Sequence, residues 1–173
     1  MIYAITASFI LAALFVGAAI WKNKAIPESI SAMVYDLPKK WRFLWILWMW
    51  AIAFLTIIPA IEILSQKGME YIGFITLAGL VFTGAMPLVK NEKNTMHYVF
   101  AMPSGIVSQA CVLFIYGDWL SLWLIIPIMM IHLFLFPDSR ISIMFDGKGV
   151  CVMEILCYIC IIFSLLTKIY ANV

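Results

Sequence analysis

Residues 43–64 read FLWILWMWAIAFLTIIPAIEIL, an apolar run interrupted by a single charge, Glu62. A bilayer's hydrocarbon core is roughly 30 Å thick, and a helix needs about 20 apolar residues to cross it. This run is long enough, and it does not alternate apolar with polar residues as a membrane β-strand must. Working outward, five more stretches qualify or nearly qualify: Ile2–Trp21, Met69–Val89, His97–Tyr116, Trp119–Phe136 and Val150–Tyr170. Lipid cannot satisfy free backbone groups, so continuous helices are the expected form. The sequence therefore predicts an all-α polytopic membrane protein. It is a single domain over 1–173 with six transmembrane helices at about 2–21, 43–64, 69–89, 97–116, 119–136 and 150–170.

Composition excludes the alternatives. Hydrophobic residues make up 65% of the 173 and charged residues 12%, against about 45–50% and 25% in a soluble domain. So much apolar surface cannot be hidden from water in 19.6 kDa. Low charge also excludes intrinsic disorder. A net charge of +2 is too small for a nucleic-acid partner. The first stretch is read as a retained span: its apolar part is long for a signal peptide, and no Lys or Arg precedes it. No lipidation motif is evident, since Ile2 rules out myristoylation and the C-terminal residues do not form a prenylation box.

Charge sets the orientation. The connections after spans one, three and five carry Lys22, Lys24, Lys39, Lys40, Arg42, Lys90, Lys93, Arg140 and Lys148, and the other side only Lys67 and Lys168. Basic residues stay in the cytoplasm, so both termini are expected outside and localisation is expected in the bacterial cytoplasmic membrane. Trp21, Trp41 and Trp45 at the inner boundary and Trp119 at the outer one fit an aromatic belt.

The longest connection, Lys22 to Arg42, carries a further signal. Pro27 suits the first position of a helix, and Ile30, Met33, Val34 and Leu37 follow at i, i+3, i+4, i+7, which is one helical face. A short amphipathic helix over about Pro27–Leu37 is expected in this first cytoplasmic loop. It lies on the membrane surface, folds under the bundle, or acts as a lid over a cavity.

Ionisable and polar residues at membrane depth are the default place to look for function. In span four, His97, Ala101, Gly105 and Gln109 recur every four residues, flanked by Ser104, Ser108 and Cys111. Such a face either packs tightly on another helix or lines a cavity, which makes Ser104, Gly105, Ser108 and Gln109 candidate ligand-binding residues. Pro103, Pro59 and Pro127 each remove an intrahelical hydrogen bond. Glu62, close to Pro59 in an apolar surround, joins the ligand-binding candidates. His97, His132 and Glu154 lie near one depth at the inner ends of the last three spans. A carboxylate there could orient an imidazole for proton transfer, so these are the catalytic candidates. Two imidazoles and a carboxylate match a metal set in type, but no metal-binding spacing supports it, and neither a metal nor a cofactor is expected. Cys157-Tyr158-Ile159-Cys160 spells a redox spacing, but mid-span it reads as packing, with Cys111 and Cys151. Ala4, Ser8 and Ala12 in span one and Gly79 and Thr83 in span three mark close helix contacts.

Ile26-Pro27-Glu28-Ser29-Ile30-Ser31-Ala32 and Met96-His97-Tyr98-Val99-Phe100-Ala101 resemble stretches of uncharacterised small bacterial membrane proteins. His97-x-x-x-Ala101 at the start of a span is similar to the six-span Frag1/DRAM/Sfk1-type group. The resemblance implies six helices and a histidine near one membrane face, and it brings no catalytic residue.

Three functional classes follow. One is a small transporter or a lipid- or solute-binding bundle with a cavity lined by span four. Another is a membrane enzyme acting on lipid at the inner leaflet. The third is a non-catalytic module that binds a partner or a second copy of itself as a homo-oligomer. The first ranks ahead, because no nucleophile, metal motif or cofactor box supports an enzyme. Expected partners are membrane lipid and a small solute or lipid ligand.

Overall fold

A computed structural model describes residues 1–27, 29–89, 95–116 and 149–171. These form five α-helices: α1 (Ile2–Asn23), α2 (Lys39–Ser65), α3 (Glu70–Val89), α4 (Thr95–Tyr116) and α5 (Gly149–Ala171), with a 3-10 helix at Ser31–Asp36. No strand occurs among the described residues. Four helices (α1, α2, α3 and α5) are long and apolar enough to cross a membrane, the mark of an integral membrane protein. The apolar part of α4 is shorter, Val99–Ile115, or roughly 25 Å at 1.5 Å per residue. The fifth predicted span, Trp119–Phe136, lies outside the described residues.

Each helix packs on its neighbour in sequence, and α5 returns to α1, so the five close into a ring. Buried side chains form two separate cores. One joins Ile5, Ile57, Leu64, Ile72, Val112, Ile115, Ile161 and Leu165 at one end of the bundle. The other joins Phe15, Ala19, Met33, Val34, Trp45, Ile46 and Cys151 at the opposite end, which also receives the 3-10 helix.

Local sequence explains the joints. The α2–α3 turn is a Schellman closure: Met69 N–H donates to Leu64 O at 3.1 Å and Gly68 N–H to Ser65 O at 3.1 Å. Gly68 has φ +67°, a conformation that a Cβ would strain. At Gly79, α3 meets α4: a Cβ there would run into the Ser104 hydroxyl and come within 3.1 Å of the Ser104 Cβ. That is the close approach small residues permit in lipid. Hydroxyls inside the bundle are satisfied on their own helix, Thr76 to Ile72 O at 2.9 Å and Thr56 to Ile52 O at 2.8 Å, so few polar groups face lipid unpaired.

Two expectations change here. The first loop does not form a surface helix over Pro27–Leu37. It folds under the bundle as a six-residue 3-10 helix, with the consecutive Met33, Val34 and Tyr35 all buried. Three buried neighbours in a row cannot share one stripe of a membrane-surface helix, and α2 begins at Lys39, which shortens the connection. Trp45 is also no boundary anchor. It is 8% exposed and packs on Phe15 at 4.1 Å between ring centroids. Trp21 and Trp41 remain exposed.

Candidate functional site: a cavity under a latched loop

Between the two cores lies a cavity of about 380 Å³. All five helices wall it: Phe9 to Val16 from α1, Met49 to Ile57 from α2, Leu80 and Thr83 from α3, Ala101, Gly105 and Ser108 from α4, and Glu154 to Ile161 from α5. Ile30 and Ser31 of the first loop close one end. Phe9, Ala13 and Ile159 line the cavity yet are exposed, Phe9 at 53% and Ile159 at 48%. The cavity therefore reaches the outer surface of the bundle beside α1 and α5.

The closing loop is held by Glu154, one turn into α5. Ser29 Oγ donates to Glu154 Oε1 at 2.9 Å, Ser31 Oγ to Oε1 at 2.5 Å, and the Ile30 N–H to Oε2 at 2.6 Å. The 3-10 turn starts with backbone donors that its own hydrogen bonds do not use, and a carboxylate is a suitable acceptor for them. At the turn's far end the carbonyls are tied down by basic side chains. Arg42 Nε donates to Leu37 O at 3.0 Å, Arg42 Nη2 to Tyr35 O at 2.9 Å, and Lys22 Nζ to Asp36 O at 3.3 Å. Two of the residues that the charge count assigns to the membrane surface thus also staple the loop.

A second polar cluster lies midway along the cavity. Ser8 Oγ is 2.6 Å from Thr56 Oγ1 and 2.8 Å from Tyr158 OH, joining α1, α2 and α5. Thr56 passes the chain on to Ile52 O.

Of the candidates read from sequence, Gly105, Ser108 and Glu154 come together on the cavity wall. Ser104 points at α3, where it meets Gly79, and its hydroxyl donates to Phe100 O. Gln109 is buried and braces α4 against α5, donating to Cys157 O at 3.2 Å and Ser108 Oγ at 3.1 Å. Its Oε1 has no partner among the described residues. Glu62 is exposed on α2 and is not among the residues that line the cavity. His97 lies in the first turn of α4, and His132 lies outside the described residues. Ser29 and Ser31, which hold Glu154, and Tyr158, which closes the mid-cavity cluster, were missed. Only the amphipathic spacing of the loop and the Ala4-Ser8-Ala12 stripe pointed toward them. Cys111, Cys151, Cys157 and Cys160 are free thiols, all buried, and no group of three metal-binding side chains occurs among the described residues.

No family model, curated protein or solved structure matches the chain.

Proposed function

We propose that this chain is a six-span protein of the bacterial cytoplasmic membrane. It admits a small apolar or amphiphilic solute, or a lipid, into the cavity between its helices, as a small transporter or carrier. Both termini lie outside, and the latched loop faces the cytoplasm with the basic connections. The observation that supports this reading is the cavity. Its volume falls in the range of ligand sites, about 300–1,000 Å³, and its wall is mostly apolar with polar groups gathered at a few points. A space of that size and lining, open beside α1 and α5, suits an apolar molecule entering from the lipid.

The test is retention and exclusion. Protein purified in maltoside detergent is examined by native mass spectrometry, and the bound fraction is extracted and identified. Ala101, on the wall, is replaced in Ala101→Phe to fill the space. The expected result is a bound small molecule in the parent and its loss in the variant, with helical content and elution volume unchanged. Empty parent protein that also takes up no added amphiphile would overturn the reading.

A further inference from the structure

The chemistry of the cavity wall selects among ligands. Five hydroxyls line it: Ser31, Thr56, Thr83, Ser108 and Tyr158. A hydroxyl has one proton to donate and two lone pairs to accept with, and the protons of the Ser and Thr hydroxyls have protein acceptors. Ser31 donates to Glu154 Oε1, Thr56 to Ile52 O, Thr83 to Gly79 O at 2.8 Å, and Ser108 to Gly105 O at 2.6 Å. In the mid-cavity chain, Ser8 Oγ donates to Ile52 O at 3.2 Å and lies within hydrogen-bond distance of Thr56 Oγ1 and Tyr158 OH, so Tyr158 is tied to Ser8 whichever of the two donates. The lining segments of the five helices also engage their own backbone N–H groups. Ser31, Thr56, Thr83 and Ser108 therefore keep lone pairs, and no spare proton, for the cavity.

Charge points the same way. Glu154 lines the cavity, and no Lys, Arg or His does among the described residues. The donors that hold Glu154 are neutral hydroxyls and a backbone N–H, so its carboxyl group is hydrogen-bonded there by groups that carry no charge. Beside this carboxyl group a cation finds an acceptor and a partner for its charge, set against the cost of desolvating both groups, whereas an anion meets desolvation and repulsion together.

We infer that the cavity takes an apolar molecule bearing a protonated amine, with the ammonium group near Glu154 and the hydroxyl lone pairs, and that it discriminates against anionic lipids and fatty acids. The inference rests on the proposed role of the cavity as a binding site and adds the class of ligand.

Three probes of one chain length separate the terms: decylammonium, decanol and decanoate. Each is titrated below its micelle concentration by calorimetry into the full chain in nanodiscs of zwitterionic lipid, with empty discs subtracted. Decylammonium is expected to bind at least tenfold tighter than decanoate, with decanol between them. Glu154→Gln is expected to bring decylammonium to within about threefold of decanol. Decanoate binding as tightly as decylammonium overturns the inference, as does a charge preference that survives in a folded Glu154→Gln protein. If that variant does not fold, the order in the parent decides. Equal binding of all three probes removes this inference and leaves the cavity as a site. Binding of none removes both.

Discussion

Removing the two serine hydroxyls from the latch should loosen the first loop without dislodging it. In the double variant Ser29→Ala, Ser31→Ala, Glu154 Oε1 loses donors at 2.9 and 2.5 Å, while the Ile30 N–H at 2.6 Å remains on Oε2. About 1.5 kcal/mol per hydrogen bond is where the ranges for neutral and charged acceptors meet. At that value, the pair amounts to about 3 kcal/mol of the free energy that holds the loop shut. The apolar anchors Ile30, Met33, Val34 and Tyr35 are all buried, at about 1.5–3 kcal/mol for each large side chain, and the substitutions do not touch them. The loop therefore stays seated in the ground state but opens more often, by about 150-fold at 1.4 kcal/mol per decade. Amide hydrogen exchange reads this directly, because local opening is what exposes a protected N–H. The reporters are the amides of Met33, bonded to Ile30 O, and Leu37, bonded to Val34 O, both at 3.3 Å. Their exchange should accelerate by about two orders of magnitude, with core amides of α2 and α3 unchanged. Acceleration below about threefold would refute the latch. So would an equal rise throughout the bundle, which would make the serines general stability residues.

Three further predictions follow from other contacts. Gly79→Ala should destabilise the bundle by about 1–3 kcal/mol through overpacking against Ser104, and Ser104→Gly in the same chain should recover much of it. Thermal or denaturant unfolding in detergent checks both, and an additive pair would show that α3 and α4 do not meet there. Tyr158→Phe should cost about 1 kcal/mol, since Ser8 and Thr56 still pair at 2.6 Å without the phenol. A loss under a few tenths would mean that the three-helix cluster is not formed. For topology, Lys67→Cys and Lys39→Cys in intact cells should react with a membrane-impermeant thiol reagent at position 67 alone. The native cysteines are all buried, and labelling at position 39 from outside would invert the orientation.

Much of the backbone was legible because lipid imposes a simple rule. A chain that must satisfy its own hydrogen bonds over some 30 Å shows long apolar runs, and α1, α3, α4 and α5 begin and end within two residues of the expected limits. The α2 start is earlier, at Lys39, because basic residues after Pro38 are as compatible with a first helical turn as with a loop. The first loop was legible in pattern but not in form. The i, i+3, i+4, i+7 spacing marked Ile30, Met33 and Val34 as buried, but spacing does not say whether a membrane or a bundle buries them, or whether the turn is α or 3-10.

The site was legible in part. The small polar face of α4 was plain, and Gly105 and Ser108 on it do line the cavity. That Ser104 turns instead toward Gly79, and Gln109 toward Cys157, depends on which helix stands on each side of α4. Glu154 drew attention because a carboxylate within an apolar run is expensive, but its partners Ser29 and Ser31 are more than a hundred residues away in sequence.

The sequence by itself determined that the chain is helical and apolar enough for a membrane, and which side chains cannot comfortably face lipid. Periodicity and transfer free energy are local quantities, and local residues carry them. Only the tertiary structure decided that those side chains meet across a ring of helices and leave a cavity between two cores. Hydrogen-bond partners and cavity volume belong to the arrangement of distant segments, and no stretch of sequence specifies them alone.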